Sequence, residues 1–137
     1  MILIRAAAFA FALVPLGASA QTFCKVQSSN YVPGQPISTT IKTVVSTVPH
    51  PSNIPGRAPS NWFNLAFNSN NPFYKPIEVT KRPTLGEVAH GAYSIRYRSN
   101  KVGADSFTFI LHQLDARSNA MRDTPVTVTV EVTPAPF

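Results

Sequence analysis

The 137-residue chain carries 12 Lys and Arg against 6 Asp and Glu, a formal charge of +6, with 13 prolines and a single cysteine. Prolines at that density break every window in which a 3.6-residue apolar stripe could develop, which excludes a helical bundle, and one cysteine excludes an internal disulfide. The cations are dispersed rather than gathered in a run, so no specific nucleic-acid partner is expected.

The first segment is read as a secretory signal. Arg5 precedes the apolar run 6–16, and Ala18-Ser19-Ala20 has the small-x-small pattern of signal-peptidase cleavage, which places the mature start at Gln21. The run is too short to cross a bilayer as a helix, so no transmembrane span is expected once it is removed. A lipid anchor is rejected because the bulky Phe23 stands before Cys24. Residues 21–133 are expected to form one domain followed by a loose tail at 134–137, in the periplasm or outside the cell. Cys24 is read as a small buried residue of the first strand; intermolecular pairing or a metal is the other use open to it.

After the signal the apolar residues alternate with polar ones, and strands are expected at 22–27, 37–48, 62–67, 77–81, 93–97 and 106–111. The clearest is 126–132, where Val126, Val128, Val130 and Val132 point one way and Thr127, Thr129 and Glu131 the other. Val32-Pro33-Gly34 signs a turn in which Pro fixes the first central φ and Gly accepts the positive second one; Asn68-Ser69-Asn70-Asn71-Pro72 signs another. About seven short strands with turn-rich connections predict an all-β fold: a single antiparallel β-sandwich.

Three motifs carry a resemblance. Residues 81–88 read Lys-Arg-Pro-Thr-Leu-Gly-Glu-Val, 103–109 read Gly-Ala-Asp-Ser-Phe-Thr-Phe, and a Val/Thr strand closes the chain after an aromatic strand at 93–97. Over residues 82–132 this is similar to the immunoglobulin-like or cadherin-like modules repeated in large bacterial surface proteins. The resemblance implies a binding or adhesion-type module at the cell envelope. Calcium sites of such modules draw on acidic residues near the N-terminus, whereas residues 21–77 contain no Asp or Glu at all. A hard cation needs several charged oxygens, so neither a metal nor a cofactor is expected.

Within the turn, Gly103 is read as the residue that permits positive φ or close approach, and the Asp105 carboxylate as acceptor for turn N–H groups. Phe107 and Phe109 are expected to enter the core, with Phe107, which lacks a hydroxyl, packing the corner rather than bonding it.

No enzyme is expected. His50, His90 and His112 fall in no metal-ligand spacing with one another or with Cys24, and no Gly-x-Ser-x-Gly elbow occurs. His112 faces away from Leu111 and is expected in solvent. The candidate binding surface is the proline-rich insertion 49–74 with its aromatics and flanking cations: Arg57, Trp62, Phe63, Tyr74 and Lys75. Two readings of Trp62 stand, a core residue of a central strand with Leu65 and Phe67, or an exposed platform for a sugar or aromatic ligand. The partners expected are an envelope protein or an anionic glycan. The competing reading is a structural or assembly role through an uncovered edge strand, for which the Thr-rich 37–48 segment is the candidate.

Overall fold

The computed structural model describes residues 21–27, 30–65 and 71–137. The expected signal at 1–20, Phe67 and the turn residues 68–70 lie outside the described residues.

Eight strands follow in chain order: β1 (Cys24–Val26), β2 (Ile37–Val44), β3 (Phe63–Leu65), β4 (Glu78–Lys81), β5 (Glu87–His90), β6 (Ile95–Arg98), β7 (Gly103–Leu114) and β8 (Met121–Thr133). They form a five-stranded sheet, ordered β1-β2-β8-β7-β4, and a three-stranded sheet, ordered β3-β6-β5. The expected all-β class holds, with no helix among the described residues. The expectation of a wholly antiparallel arrangement does not, because β2 runs parallel to β8 from Ile37↔Val126 to Val44↔Thr133. Alternation has period 2 whichever way a neighbouring strand runs, so the pattern reports burial and not direction.

The period-2 pattern sorts side chains as the sequence leads one to expect. Val126, Val128, Val130 and Val132 are at most 2% exposed, and Phe107, Phe109 and Leu111 are fully buried beside them. Leu65, Val88, Ile95 and Tyr97 of the three-stranded sheet complete the same core. Tyr97 stacks on Phe107 with ring centroids 5.6 Å apart. Burial of each such large side chain stabilises by about 1.5–3 kcal/mol, so the core residues of β7 and β8 anchor the fold. The two strands form a long hairpin closed by a turn in which Asn119 takes φ 54°, a left-handed conformation asparagine tolerates. The turn at Val32-Pro33-Gly34 also forms: Gln35 N–H donates to the Val32 carbonyl at 3.1 Å, and Gly34 has φ 84°.

The two sheets are tied by one carboxylate. Gly103 opens β7 with φ 146°, and Asp105, two residues on, is 6% exposed. Its Oδ1 accepts the N–H of Thr84 at 3.0 Å and of Ser106 at 2.9 Å; its Oδ2 accepts the N–H of Gly86 at 2.8 Å and the Tyr97 hydroxyl at 2.7 Å. Burial pushes the carboxyl up, but the bonds from Gly86 and Tyr97 outweigh it and hold Asp105 below its ordinary value. Burial, with this bond, lifts the Tyr97 hydroxyl well above the phenol range, so it remains a donor. Asp105 therefore takes turn N–H groups as expected, but the corner is not merely packed. Phe107 lacks a hydroxyl, and Tyr97 supplies one from the facing sheet.

Gly86 is where this junction allows no side chain. A Cβ there would lie 2.4 Å from the Arg98 carbonyl oxygen and 2.5 Å from Tyr97 Oη. The C-terminal residues, expected to be loose, are fastened: Phe137 and Thr22 exchange backbone hydrogen bonds of 3.0 and 2.8 Å, and Lys42 Nζ sits 4.5 Å from the centre of the Phe137 ring.

Candidate binding face on the three-stranded sheet

The Ile-Arg-Tyr-Arg sequence of β6 puts Ile95 and Tyr97 in the core and Arg96 and Arg98 on the outer face. Pairing with β3 in the register Asn64↔Arg96 and Leu65↔Ile95 sends Leu65 inward with Ile95 and Asn64 outward with Arg96. Trp62, one residue before β3, falls on the outer side and lies against both guanidinium groups, 4.2 Å from Arg98 and 4.6 Å from Arg96. Trp62 is half-buried there and lies outside the core cluster. Phe63 is half-buried and packs against the core.

The two arginines are not equivalent. Across the sheet, Arg98 is paired in register with Glu87 and Arg96 with Ala89. Arg98 donates to the Glu87 carboxylate and to the Ser60 hydroxyl, so its charge is met within the protein. Arg96 is exposed and, among the described residues, forms no ion pair. A hollow of about 230 Å³ opens beside it, lined by Asn64, Ala89, His90, Gly91, Ser94 and Arg96, with no carboxylate in the lining. On the Arg98 side a polar groove of about 450 Å³ runs past Ser46, Ser60, Glu87 and Asn100.

The five expected surface residues do not come together. Trp62 lies on this face, whereas Arg57 is an exposed loop residue whose N–H closes a turn on Ile54. Tyr74 and Lys75 belong to the outer face of the other sheet. There the Tyr74 hydroxyl donates to Asp123, and its ring meets His112 edge-on at 5.7 Å.

His112 itself corrects a second expectation. It does face outward from β7, but it is 6% exposed, because Tyr74 and the carboxylates of two neighbouring strands cover it. Its Nδ1 lies 2.7 Å from Asp123 Oδ1 and its Nε2 3.0 Å from Glu78 Oε2. Both ring nitrogens can donate to carboxylates only in the imidazolium form. The bond to Asp123 is the main reason that the His112 pKa is raised, with Glu78 adding and burial opposing. This cluster clamps β4 and the segment before it onto β7 and β8.

Arg96 and Arg98 are the residues that sequence reading did not single out. Their alternation was visible, but the β3–β6 register that carries Trp62 to them joins residues more than thirty positions apart. Among the described residues, no group of three His, Cys, Asp or Glu side chains is placed to hold a metal ion. Cys24 is half-buried on β1, and burial pushes its thiol up to about 11. No protein-family model, curated protein or solved structure matches the chain.

Proposed function

We propose that the protein is an exported, non-catalytic binding module of the immunoglobulin- or cadherin-like kind, acting at the bacterial cell envelope through the outer face of its three-stranded sheet. The observation that carries this reading is Trp62 lying against Arg96 and Arg98 on an open sheet face. Contact with two guanidinium groups holds a tryptophan in place, and an exposed arginine beside it attracts negative charge. Aromatic residues and arginine also dominate the energetics of recognition surfaces. An anionic envelope component, a glycan or a protein, suits this face.

The assembly reading is less favoured, because β1 covers part of the segment it rested on, pairing along Ile41–Thr43. β2 lies inside the five-stranded sheet, between β1 and β8, and the strands at the sheet edges are three or four residues long. Short edges are poor templates for strand addition. The test is retention on immobilised cell-envelope extract, followed by sedimentation velocity of the mixture. Wild type is expected to be retained and Trp62→Ala released; equal retention of both would refute this face as the site.

A further inference from the structure

We propose, resting on the binding-module reading above, that the hollow at Arg96 is the acidic subsite of a glycan-binding face. It would take a sugar that bears an oxyanion, with the oxyanion on Arg96 and the ring against Trp62. This face carries two rows of side chains. In one row Arg98 stands between Trp62 and Glu87, and the protein supplies its own anion. In the next row Arg96 stands between Asn64 and Ala89, and a methyl group occupies the position equivalent to Glu87. The same sheet therefore neutralises one arginine and leaves its neighbour two residues away available.

The lining of the hollow suits an oxyanion attached to a polyol. Arg96 presents a planar fork that can bond a carboxylate or a phosphate in bidentate fashion. The Asn64 amide and the Ser94 hydroxyl add donors on the rim. His90 Nδ1 lies 3.3 Å from the Gly91 carbonyl and donates to it, leaving Nε2 for a sugar hydroxyl. The absence of any carboxylate among these lining residues removes the repulsion that an anion would otherwise meet. The volume, about 230 Å³, is below the roughly 300–1,000 Å³ typical of drug-sized ligands, so the hollow fits one charged unit of a chain rather than a whole oligosaccharide.

Trp62 is the single tryptophan of the chain, so its fluorescence reports directly on this face. The mature protein would be titrated with four probes: a trimer of galacturonic acid, the methyl ester of that trimer, galactose 6-phosphate and inorganic phosphate. At least tenfold tighter binding of the acid than of the ester is expected, with an affinity that falls as salt rises. Arg96→Gln should remove that preference. As a second variant, Ala89→Glu should remove it as well by giving Arg96 the internal partner that Arg98 already has. Preference for galactose 6-phosphate over the trimer would assign the oxyanion to phosphate, and preference for the trimer to carboxylate; either supports the subsite. Equal binding of acid and ester without a preference for galactose 6-phosphate, or a response to inorganic phosphate as strong as to the sugars, would overturn it. Silence toward all four probes, with envelope extract still retained by wild type and not by Trp62→Ala, would overturn the subsite and leave the binding module standing. Silence with no retention would overturn both.

Discussion

Removing the Asp105 carboxylate isolates the bond network that joins the two sheets. Asp105→Ala strips the acceptor from Thr84 N–H, Gly86 N–H and the Tyr97 hydroxyl, three donors from outside its own strand, at a site 6% exposed. A buried donor left without a partner costs about 1–3 kcal/mol, so the three together cost about 3–9 kcal/mol, and water entering the site moves the value toward the lower end. About 4 kcal/mol is therefore expected, against a total stability of about 5–15 kcal/mol for an ordinary domain. Tyr97→Phe removes one bond to a charged group while keeping the ring that stacks on Phe107, and should cost about 1.5–3 kcal/mol. The decisive measurement is the double variant, by urea unfolding followed through Trp62 fluorescence and circular dichroism. With the carboxylate gone, the Tyr97 hydroxyl is itself a stranded donor, so Tyr97→Phe should turn neutral or stabilising in the Asp105→Ala background. If it costs the same in both backgrounds, the bond is not what holds the sheets, and the reasoning fails.

The same network has a pH signature. Asp105 titrates lower in the folded protein than in the unfolded chain, so its contribution is present above the ordinary aspartate range and is lost as pH falls through the folded value. The stability gap between wild type and Asp105→Ala should narrow on acidification. For His112 the sign reverses. Its folded pKa is raised, so its contribution is complete below the ordinary histidine range and is lost as pH rises through the folded value. Wild type should lose more of its urea midpoint between pH 5.5 and 8.5 than His112→Gln does; parallel curves would refute the imidazolium assignment. Gly86→Ala forces a Cβ onto the Arg98 carbonyl oxygen and Tyr97 Oη, and should reach or exceed the upper end of the ~1–3 kcal/mol known for overpacking. A midpoint within error of wild type would mean that the junction can open. Phe109→Ala, at a fully buried position, should cost about 3–5 kcal/mol by the same assay, and a smaller loss would mean that the core collapses around the gap.

Much of the architecture was legible because each long strand is buried on one face. Val126 to Val132 alternate without ambiguity, Phe107 to Leu111 do so except at Ile110, and the burial of the inward set follows. Glu87–His90 was not recognised as a strand, since four residues with one apolar inward position, Val88, carry almost no periodic signal. The parallel pairing of β2 with β8 was illegible for a different reason: nothing local in Ile37–Val44 specifies the direction of a partner some ninety residues away. Exposure failed at His112 because facing is a property of the strand, whereas cover is supplied by Tyr74, Glu78 and Asp123 from other elements. The candidate site was half visible. Trp62 was named and Arg96 was not, because an aromatic residue in a proline-rich insertion stands out, while an arginine on the outer face of a strand looks like any solvated cation.

What separates Arg96 from the other cations is the use the fold makes of its acids. Asp105 is spent on the sheet junction, Glu78 and Asp123 on His112, Glu87 on Arg98, and Asp115 lies 3.9 Å from Arg122. Among the described residues, Arg98 and Arg122 are the only lysine or arginine side chains that meet a carboxylate. The excess positive charge is thus left at the surface, where an isolated lysine is strongly hydrated and contributes mainly a long-range field that salt screens. Arg96 differs from those lysines in geometry rather than in charge. Among the described residues it alone combines an unneutralised guanidinium, a hollow without carboxylates and a tryptophan ring 4.6 Å away. A field shared by the whole surface can gather anions, but a fork fixed beside an aromatic ring can choose among them. Specificity for one anionic ligand over another must therefore be sought at Arg96 and its rim, and salt should weaken attraction everywhere before it erases the preference there.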